Sequence, residues 1–114
     1  MIVGRGRDAL FVYGSLLENS LRKKILGRDV ECEPARVEGY ERRHARYFII
    51  VARPGAVTDG LLLSGLGRAD LEALDGYEEV GFLYWRELIE VSRSDGGRVR
   101  CWIYLPTLTL MQMT

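Results

Sequence analysis

The chain has 114 residues, a length typical of one domain, with 47% hydrophobic and 28% charged residues, as in an ordinary globular protein. Sixteen basic and sixteen acidic residues cancel to a formal net charge of zero, which gives no broad electrostatic reason to expect nucleic acid or an anionic membrane as partner. No apolar run approaches the roughly 18 residues of a membrane span, and the start of the chain lacks the apolar region of a signal peptide. We therefore expect one cytoplasmic domain over residues 1–114.

The predicted secondary structure is mostly β. A buried strand over Leu10 to Tyr13 breaks at Gly14-Ser15, and a helix over Leu21 to Leu26 follows, with Asn19 or Ser20 as N-cap and Gly27 as its C-terminal stop. The later predicted elements are a weak strand over Arg36 to Tyr40, a strong strand over Ala45 to Ala52, a loop over 53–60, a strand over Leu61 to Leu63, a helix over Arg68 to Glu79, and strands over Tyr84 to Ser92 and Arg98 to Leu105. The Asp-Gly of "SRSDGG" is typical of a hairpin turn between the last two strands.

Two cysteines and one histidine limit the chemistry available. Cys32 and Cys101 lie far apart and do not form a C-x-x-C pair, and a cytoplasmic chain keeps thiols reduced, so we expect no disulfide. A nucleophilic pair of cysteine with His44 stays open but has no local support. One histidine and two cysteines are a poor zinc ligand set, so we expect no metal site.

The predicted helix in "GRADLEALDGYEEV" carries an acid on its apolar face. Leu71 and Leu74 share one face, and Glu78 follows them by seven and four residues, so Glu78 projects from the same stripe. Burial there would raise the pKa of Glu78 above its usual ~4.3, toward the range useful for proton transfer at neutral pH. Gly76 weakens the helix just before this point. The alternative is that Glu78 is solvated beyond a frayed helix end or pairs with Arg86.

The stretch "FVYGSL" ends the first strand at a glycine and a serine. Backbone N–H groups exposed there, together with the serine hydroxyl, can hold a carboxylate or another oxyanion. An ordinary tight turn is the alternative, and neither phosphate-loop pattern, G-x-x-x-x-G-K-[ST] or G-x-G-x-x-G, is present.

The order of five short motifs resembles a known family. "FVYGSL", "RPG" before a Gly-Leu strand, "LDGYEE", "YWR" and "CWIY" follow one another between Ala9 and Pro106. This order is similar to that of the γ-glutamylcyclotransferase-like, or AIG2-like, family. The resemblance implies an α+β fold, a mixed β-barrel of about six strands with short flanking helices and a pocket at one end.

The resemblance also implies roles for particular residues. Glu78 matches the family's catalytic glutamate. Arg86 of the Tyr-x-Arg motif is more plausibly structural or pocket-lining than catalytic. The positions that match substrate-binding or pocket residues are Tyr13, Gly14, Ser15, Leu16, Tyr84 and Tyr104.

The implied activity is a cyclisation that needs no cofactor. The α-amine of a small γ-glutamyl compound attacks its own γ-carbonyl, which releases 5-oxoproline and an amine or amino acid. The other function left open is a non-catalytic binding or interaction module with the same pocket. Neither function calls for nucleic acid or a membrane, and a homodimer is possible.

Two positions and the C-terminal tail depart from the family pattern. Glu79 stands where a glycine often follows the catalytic glutamate, and Arg53 replaces an aromatic residue before Pro-Gly. Arg53 therefore either contacts a substrate carboxylate or lies on the surface. The apolar tail "TLTLMQMT" is short, which leaves the pocket less enclosed or closed by a partner subunit.

Overall fold

The computed structural model describes residues 6–44 and 46–113, and they form a closed five-stranded barrel with short helices. The strands are β1 (Asp8–Val12), β2 (Cys32–His44), β3 (Phe48–Leu66), β4 (Tyr84–Arg93) and β5 (Arg98–Pro106), in the order β1-β3-β2-β4-β5. The helices are α1 (Asn19–Leu26), α2 (Arg68–Tyr77) and α3 (Leu108–Met113), and a 3-10 turn spans Ser15–Leu17. The mixed barrel is confirmed by the parallel β1–β5 pair among antiparallel neighbours, but it has five strands rather than about six.

The strand count differs because β3 is one long strand. It joins the strands predicted over 45–52 and 61–63, and the first residue of that prediction, Ala45, lies outside the described residues. The loop predicted over 53–60 was wrong, because the whole segment lies within β3 and its second half, residues 57–60, pairs with β2. The pairing partners are far apart in sequence, and local turn residues did not reveal them.

An irregularity in the β2–β3 ladder explains the misleading turn signal. Glu38 pairs with Val57 and Tyr40 with Ala52, so residues 53–56 bulge outward opposite a single residue, Gly39. Gly39 has a φ of 83°, which favours glycine. The "RPGA" stretch is therefore a bulge inside a strand.

The helix α1 ends where the sequence predicts but begins earlier. Glu18 is its N-cap, so the prediction of Asn19 or Ser20 as cap was wrong, and both residues lie in the first turn. Gly27 terminates the helix with a φ of 75°, and its N–H donates to the carbonyl of Lys23 at 2.8 Å.

The helix α2 ends two residues before its predicted end. Tyr77 is its last residue, and Glu78 is the C-cap, whose N–H donates to the Leu74 carbonyl at 2.9 Å. Glu79 then takes a φ of 52°, which turns the chain toward β4. The backbone thus leaves the helix at the two adjacent glutamates.

The core consists of two clusters on the two faces of the barrel wall. In β1 the side chains alternate, with Leu10 and Val12 in one cluster and Phe11 in the other. The first cluster packs the helices onto the barrel, and α2 contributes Leu71 and Leu74 to it, as their spacing predicts. The second cluster contains strand residues from β1 to β5 and no helix residue, so it fills the barrel interior.

The C-terminal half supplies the remaining elements. The hairpin predicted between β4 and β5 is confirmed, with Gly96 at a φ of 89° in its turn. The short tail forms α3, which inserts Leu110 into the core while Leu108 stays 76% exposed. Within residues 6–44 and 46–113, no helix combines the length and the apolar character needed to cross a membrane.

Candidate active site

A cavity of about 360 Å³ lies where β1 ends, between the 3-10 turn, the tip of the β2–β3 hairpin, the end of α2 and the starts of β3 and β4. This volume lies within the range of small-molecule sites. All seven residues assigned from the sequence lie in its lining: Tyr13, Gly14, Ser15, Leu16, Glu78, Tyr84 and Tyr104. The structure thus brings together residues that are up to 91 positions apart, as in the hydrogen bond of 2.5 Å from the Tyr13 hydroxyl to the Tyr104 carbonyl.

Gly14 permits a close approach between two walls of the cavity. A Cβ added at this position would lie 2.8 Å from the Cβ of Phe48, at the start of β3. No ordinary side chain fits there without displacement of the loop or the strand. The glycine that ends "FVYG" is therefore required by packing.

The 3-10 turn leaves amide groups available at the cavity wall. The N–H groups of Leu17 and Glu18 donate to the carbonyls of Gly14 and Ser15, at 3.0 and 3.2 Å. The first N–H groups of a helical turn have no acceptor within it. The N–H groups of Ser15 and Leu16 are in this position, and both residues line the cavity.

The buried side chain of Arg22 stabilises the 3-10 turn. Arg22 is only 5% exposed, and its guanidinium donates to the carbonyls of Leu16 at 3.0 Å and Leu17 at 2.8 Å. It also donates to the Asn19 side chain at 3.2 Å. Because the carbonyls face Arg22, the turn is fixed in orientation relative to α1.

Glu78 is a carboxylic acid of the lining whose pKa is raised toward neutrality. Burial raises the pKa of its carboxyl from 4.5 to about 7. Burial also raises the pKa of the Tyr13, Tyr84 and Tyr104 hydroxyls, and the negative charge of Glu78 adds to the shift of each. These phenols therefore stay protonated at physiological pH, while Glu78 can exist in either state.

The two adjacent glutamates differ in environment. Glu78 is partly buried within the cavity, whereas Glu79 is exposed and contributes to the lining at its rim. The helical spacing from Leu71 and Leu74 predicts this difference, with Glu78 toward the cavity and Glu79 toward solvent. It does so although α2 ends just before the two glutamates.

Arg86 does not pair with Glu78, contrary to one alternative from the sequence. Its guanidinium donates to the two carboxylate oxygens of Asp75 at 2.8 and 3.0 Å and stacks 4.3 Å from the centre of the Trp102 ring. The Tyr104 hydroxyl donates to the same carboxylate at 2.8 Å. Asp75 thus connects Tyr104, a residue of the cavity lining, to the ion pair with Arg86. The sequence did not indicate this connection.

Tyr77 is a second residue that the sequence analysis missed. Its hydroxyl donates to the Ser15 hydroxyl at 3.1 Å, so it joins the end of α2 to the 3-10 turn. The only sequence feature that pointed to Tyr77 as a site residue was its position directly before Glu78 in "LDGYEE".

The tip of the β2–β3 hairpin forms a wall that no sequence motif indicated. His44, Arg46, Tyr47 and Phe48 all lie in the lining, and the His44 and Phe48 rings stack at 3.9 Å. The Phe48 carbonyl accepts from the Tyr84 hydroxyl at 2.6 Å, which joins β3 to β4. These residues reach the cavity only because β2 and β3 pair over most of their length.

Arg53 lies outside this cavity. It is exposed and forms an ion pair with Glu41 on the neighbouring strand. Of the two alternatives from the sequence, the structure places it on the surface.

Comparison with known proteins identifies the family and the fold of this chain. The family described as gamma-glutamyl cyclotransferase, AIG2-like, matches residues 10–112. Protein AIG2 C of Arabidopsis thaliana is 35% identical over 91 residues, which are 77% of this chain and 54% of that protein. A gamma-glutamylcyclotransferase and putative RNase of Methanocaldococcus jannaschii is 27% identical over 99 residues, which are 84% of this chain and 45% of that protein. The chain thus spans about half the length of these two relatives.

Solved structures share the fold. The solution structure of an Arabidopsis thaliana protein superposes with a TM-score of 0.81 at 28% identity, over 96% of this chain and 68% of that one. A structure described as gamma-glutamyl cyclotransferase superposes with a TM-score of 0.75 at 19% identity, over 88% of this chain and 66% of that one, a likeness of fold alone. Since the family match covers nearly the whole described barrel and its cavity, the chain belongs to the gamma-glutamyl cyclotransferase, AIG2-like family.

Proposed function

We propose that the protein is a γ-glutamyl cyclotransferase that converts a small γ-glutamyl compound into 5-oxoproline and a free amine or amino acid. The observation that carries the proposal is the carboxyl of Glu78, whose pKa burial raises to about 7, in a cavity next to the 3-10 turn. Membership of the family supports the reaction type.

The reaction is an intramolecular acyl transfer. The nitrogen of the α-amine forms a bond to the γ-carbonyl carbon, and the bond from that carbon to the leaving nitrogen breaks. Ionised Glu78 takes a proton from the α-ammonium, and protonated Glu78 then gives a proton to the leaving nitrogen. A carboxyl with a pKa near the working pH suits both steps, which together are worth roughly 10²–10⁴-fold in rate.

The loop and the tyrosines serve to bind and fold the substrate. The N–H groups of Ser15 and Leu16 are available for an anionic group of the γ-glutamyl part. Tyr13, Tyr84 and Tyr104 line the buried part of the cavity, where burial favours a compact glutamyl chain with amine and carbonyl in contact.

Glu78→Gln tests the role of the acid. We expect the variant to fold and to bind γ-glutamyl compounds, since the side chains have similar size, but to lose at least 100-fold in 5-oxoproline release because an amide cannot accept the proton. A panel of γ-glutamyl amino acids and amines serves as substrates, with 5-oxoproline measured by chromatography and binding by calorimetry.

Glu79→Gln is the matched control, because it removes an adjacent but exposed carboxylate. It should keep most of the activity. Full activity of Glu78→Gln would refute the mechanism. A wild-type protein that binds γ-glutamyl compounds and releases no 5-oxoproline would instead identify a non-catalytic binding module.

A further inference from the structure

Three phenol groups of the cavity lie close enough to Glu78 for its charge to raise their pKa values, yet each donates its proton elsewhere. Tyr13 donates to the Tyr104 carbonyl at 2.5 Å, and Tyr84 donates to a carbonyl of β3 at 2.6 Å. Tyr104 donates to a carboxylate oxygen of Asp75 at 2.8 Å. Because a hydroxyl has one proton to donate, none of the three donates to Glu78 in this arrangement.

The guanidinium beside these tyrosines also binds Asp75. Arg86 and Tyr104 are paired residues of β4 and β5, so their side chains are neighbours on one face of the sheet. The Arg86 guanidinium donates to both carboxylate oxygens of Asp75, at 2.8 and 3.0 Å, and stacks on the Trp102 ring. Asp75 thus accepts from a phenol and a guanidinium. Glu78, three residues later, has no hydrogen bond or ion pair within residues 6–44 and 46–113.

The other ionisable groups of the lining do not supply a partner for Glu78 either. They lie at the hairpin tip, at the end of α2 and at the rim, and in the described part of the chain none is bonded to Glu78: His44, Arg46, Tyr47, Tyr77 and Glu79. Burial is therefore the cause of the raised pKa of Glu78, about 7, and a donor or cation brought beside its carboxyl would lower that pKa.

We propose that Asp75 is a positioning residue for Glu78: it binds the Arg86 guanidinium and the Tyr104 hydroxyl and so keeps both donors from the Glu78 carboxyl. The inference concerns the resting protein, and only its consequence for turnover rests on the proposed cyclotransferase function. Asp8 also lies near Arg86, but it accepts from the indole on which Arg86 stacks, at 3.4 Å. Without Asp75 the charge of Arg86 loses its two-point partner, and it then favours the ionised form of Glu78.

Asp75→Asn removes the charge and keeps the shape of the side chain. Carbon-13 NMR titration of the glutamate carboxyls, with the Glu78→Gln spectrum to identify the resonance, gives the pKa of Glu78 without any substrate. We expect this pKa to fall by about one unit in Asp75→Asn. It should return close to the wild-type value in the double variant Asp75→Asn/Arg86→Gln, since neither charge remains. A role of Asp75 in packing alone would admit water in both variants, and the pKa would stay low in both.

Asp70→Asn is the matched control. Asp70 lies on the same helix and binds Arg28 through two hydrogen bonds, of 2.5 and 2.7 Å, outside the cavity lining. Its replacement should lower stability in urea and leave the pKa of Glu78 unchanged. Tyr104→Phe keeps both charges at the end of α2 and should also leave this pKa unchanged, because the lost hydroxyl donates to Asp75.

An unchanged pKa of Glu78 in Asp75→Asn, or a low value that persists in the double variant, would overturn the inference. A rise in Tyr104→Phe would overturn it as well, since the hydroxyl would then have been a donor to Glu78, and this variant decides if Asp75→Asn does not fold. In an active enzyme, the rise of kcat/KM with pH should move to lower pH in Asp75→Asn by the same amount as the NMR value. A protein that releases no 5-oxoproline would refute the proposed function and leave the NMR test of Asp75 unaffected.

Discussion

Replacement of Glu78 by glutamine should stabilise the protein, by an amount that depends on pH. The folded pKa of about 7 exceeds the ordinary value of 4.5, so the folded state binds the proton of Glu78 more tightly than the unfolded chain does. Below about pH 4.5 the carboxyl is protonated in both states. As the pH rises from there to about 7, the unfolded chain ionises first, and the wild type loses the stability that the bound proton contributed.

The size of this loss follows from the shift in pKa. One unit corresponds to about 1.4 kcal/mol, so the rise from 4.5 to about 7 corresponds to ~3 kcal/mol at pH 8. Glutamine does not titrate and carries none of this loss. The stability of Glu78→Gln relative to the wild type should therefore increase by ~3 kcal/mol between pH 4.5 and pH 8.

Urea denaturation of both proteins at pH 4.5, 6 and 8 measures the effect. The difference between variant and wild type at each pH cancels the titration of every other group, and its change with pH isolates Glu78. Glu79→Gln should show little change, since that carboxylate is exposed. An equal stability difference for Glu78→Gln at pH 4.5 and pH 8 would show that Glu78 is not desolvated, and the reasoning would fail.

Two further substitutions test the loop. Gly14→Ala should lower the free energy of unfolding by roughly 1–3 kcal/mol and weaken binding of γ-glutamyl compounds, because its methyl group would meet Phe48. Gly76→Ala is the control: it lies in α2 with open space around it and should raise the free energy of unfolding by up to ~1 kcal/mol. Urea denaturation measures the stability of both variants, and calorimetry measures their binding. Arg22→Ala should lower the free energy of unfolding by roughly 2–4 kcal/mol, because two carbonyl groups of the turn lose their buried donor. If the variant is as stable as the wild type, Arg22 does not stabilise the turn.

Features encoded by neighbouring residues could be predicted from the sequence. Gly27 ends α1 through a left-handed φ, which glycine adopts at little cost, and the spacing of Leu71 and Leu74 sets the buried face of α2. The same spacing placed Glu78 in the cavity wall. In each case the determining contacts lie within about one or two helical turns.

Features that depend on pairing of distant segments could not be predicted in the same way. The "RPG" stretch has the composition of a turn, but it forms a bulge because β2 supplies a partner for the residues on both sides of it. The hairpin tip with His44 and Arg46 becomes a cavity wall only after that pairing. Asp75 likewise gains its role from Arg86 and Tyr104, which face it only when β4 and β5 are side by side.

The position of Arg86 gives the two acids at the end of α2 different surroundings. Asp75 and Glu78 are three residues apart, and either carboxylate would lower its free energy by pairing with a guanidinium. The two-point hydrogen bond to Asp75 and the stack on Trp102 fix Arg86 on the Asp75 side. Burial then acts on Glu78 without an opposing cation, and its pKa rises to about 7. Two nearby carboxyls thus differ because of their surroundings: Asp75 binds Arg86 and Tyr104, whereas Glu78 has the raised pKa that the proposed proton transfer requires.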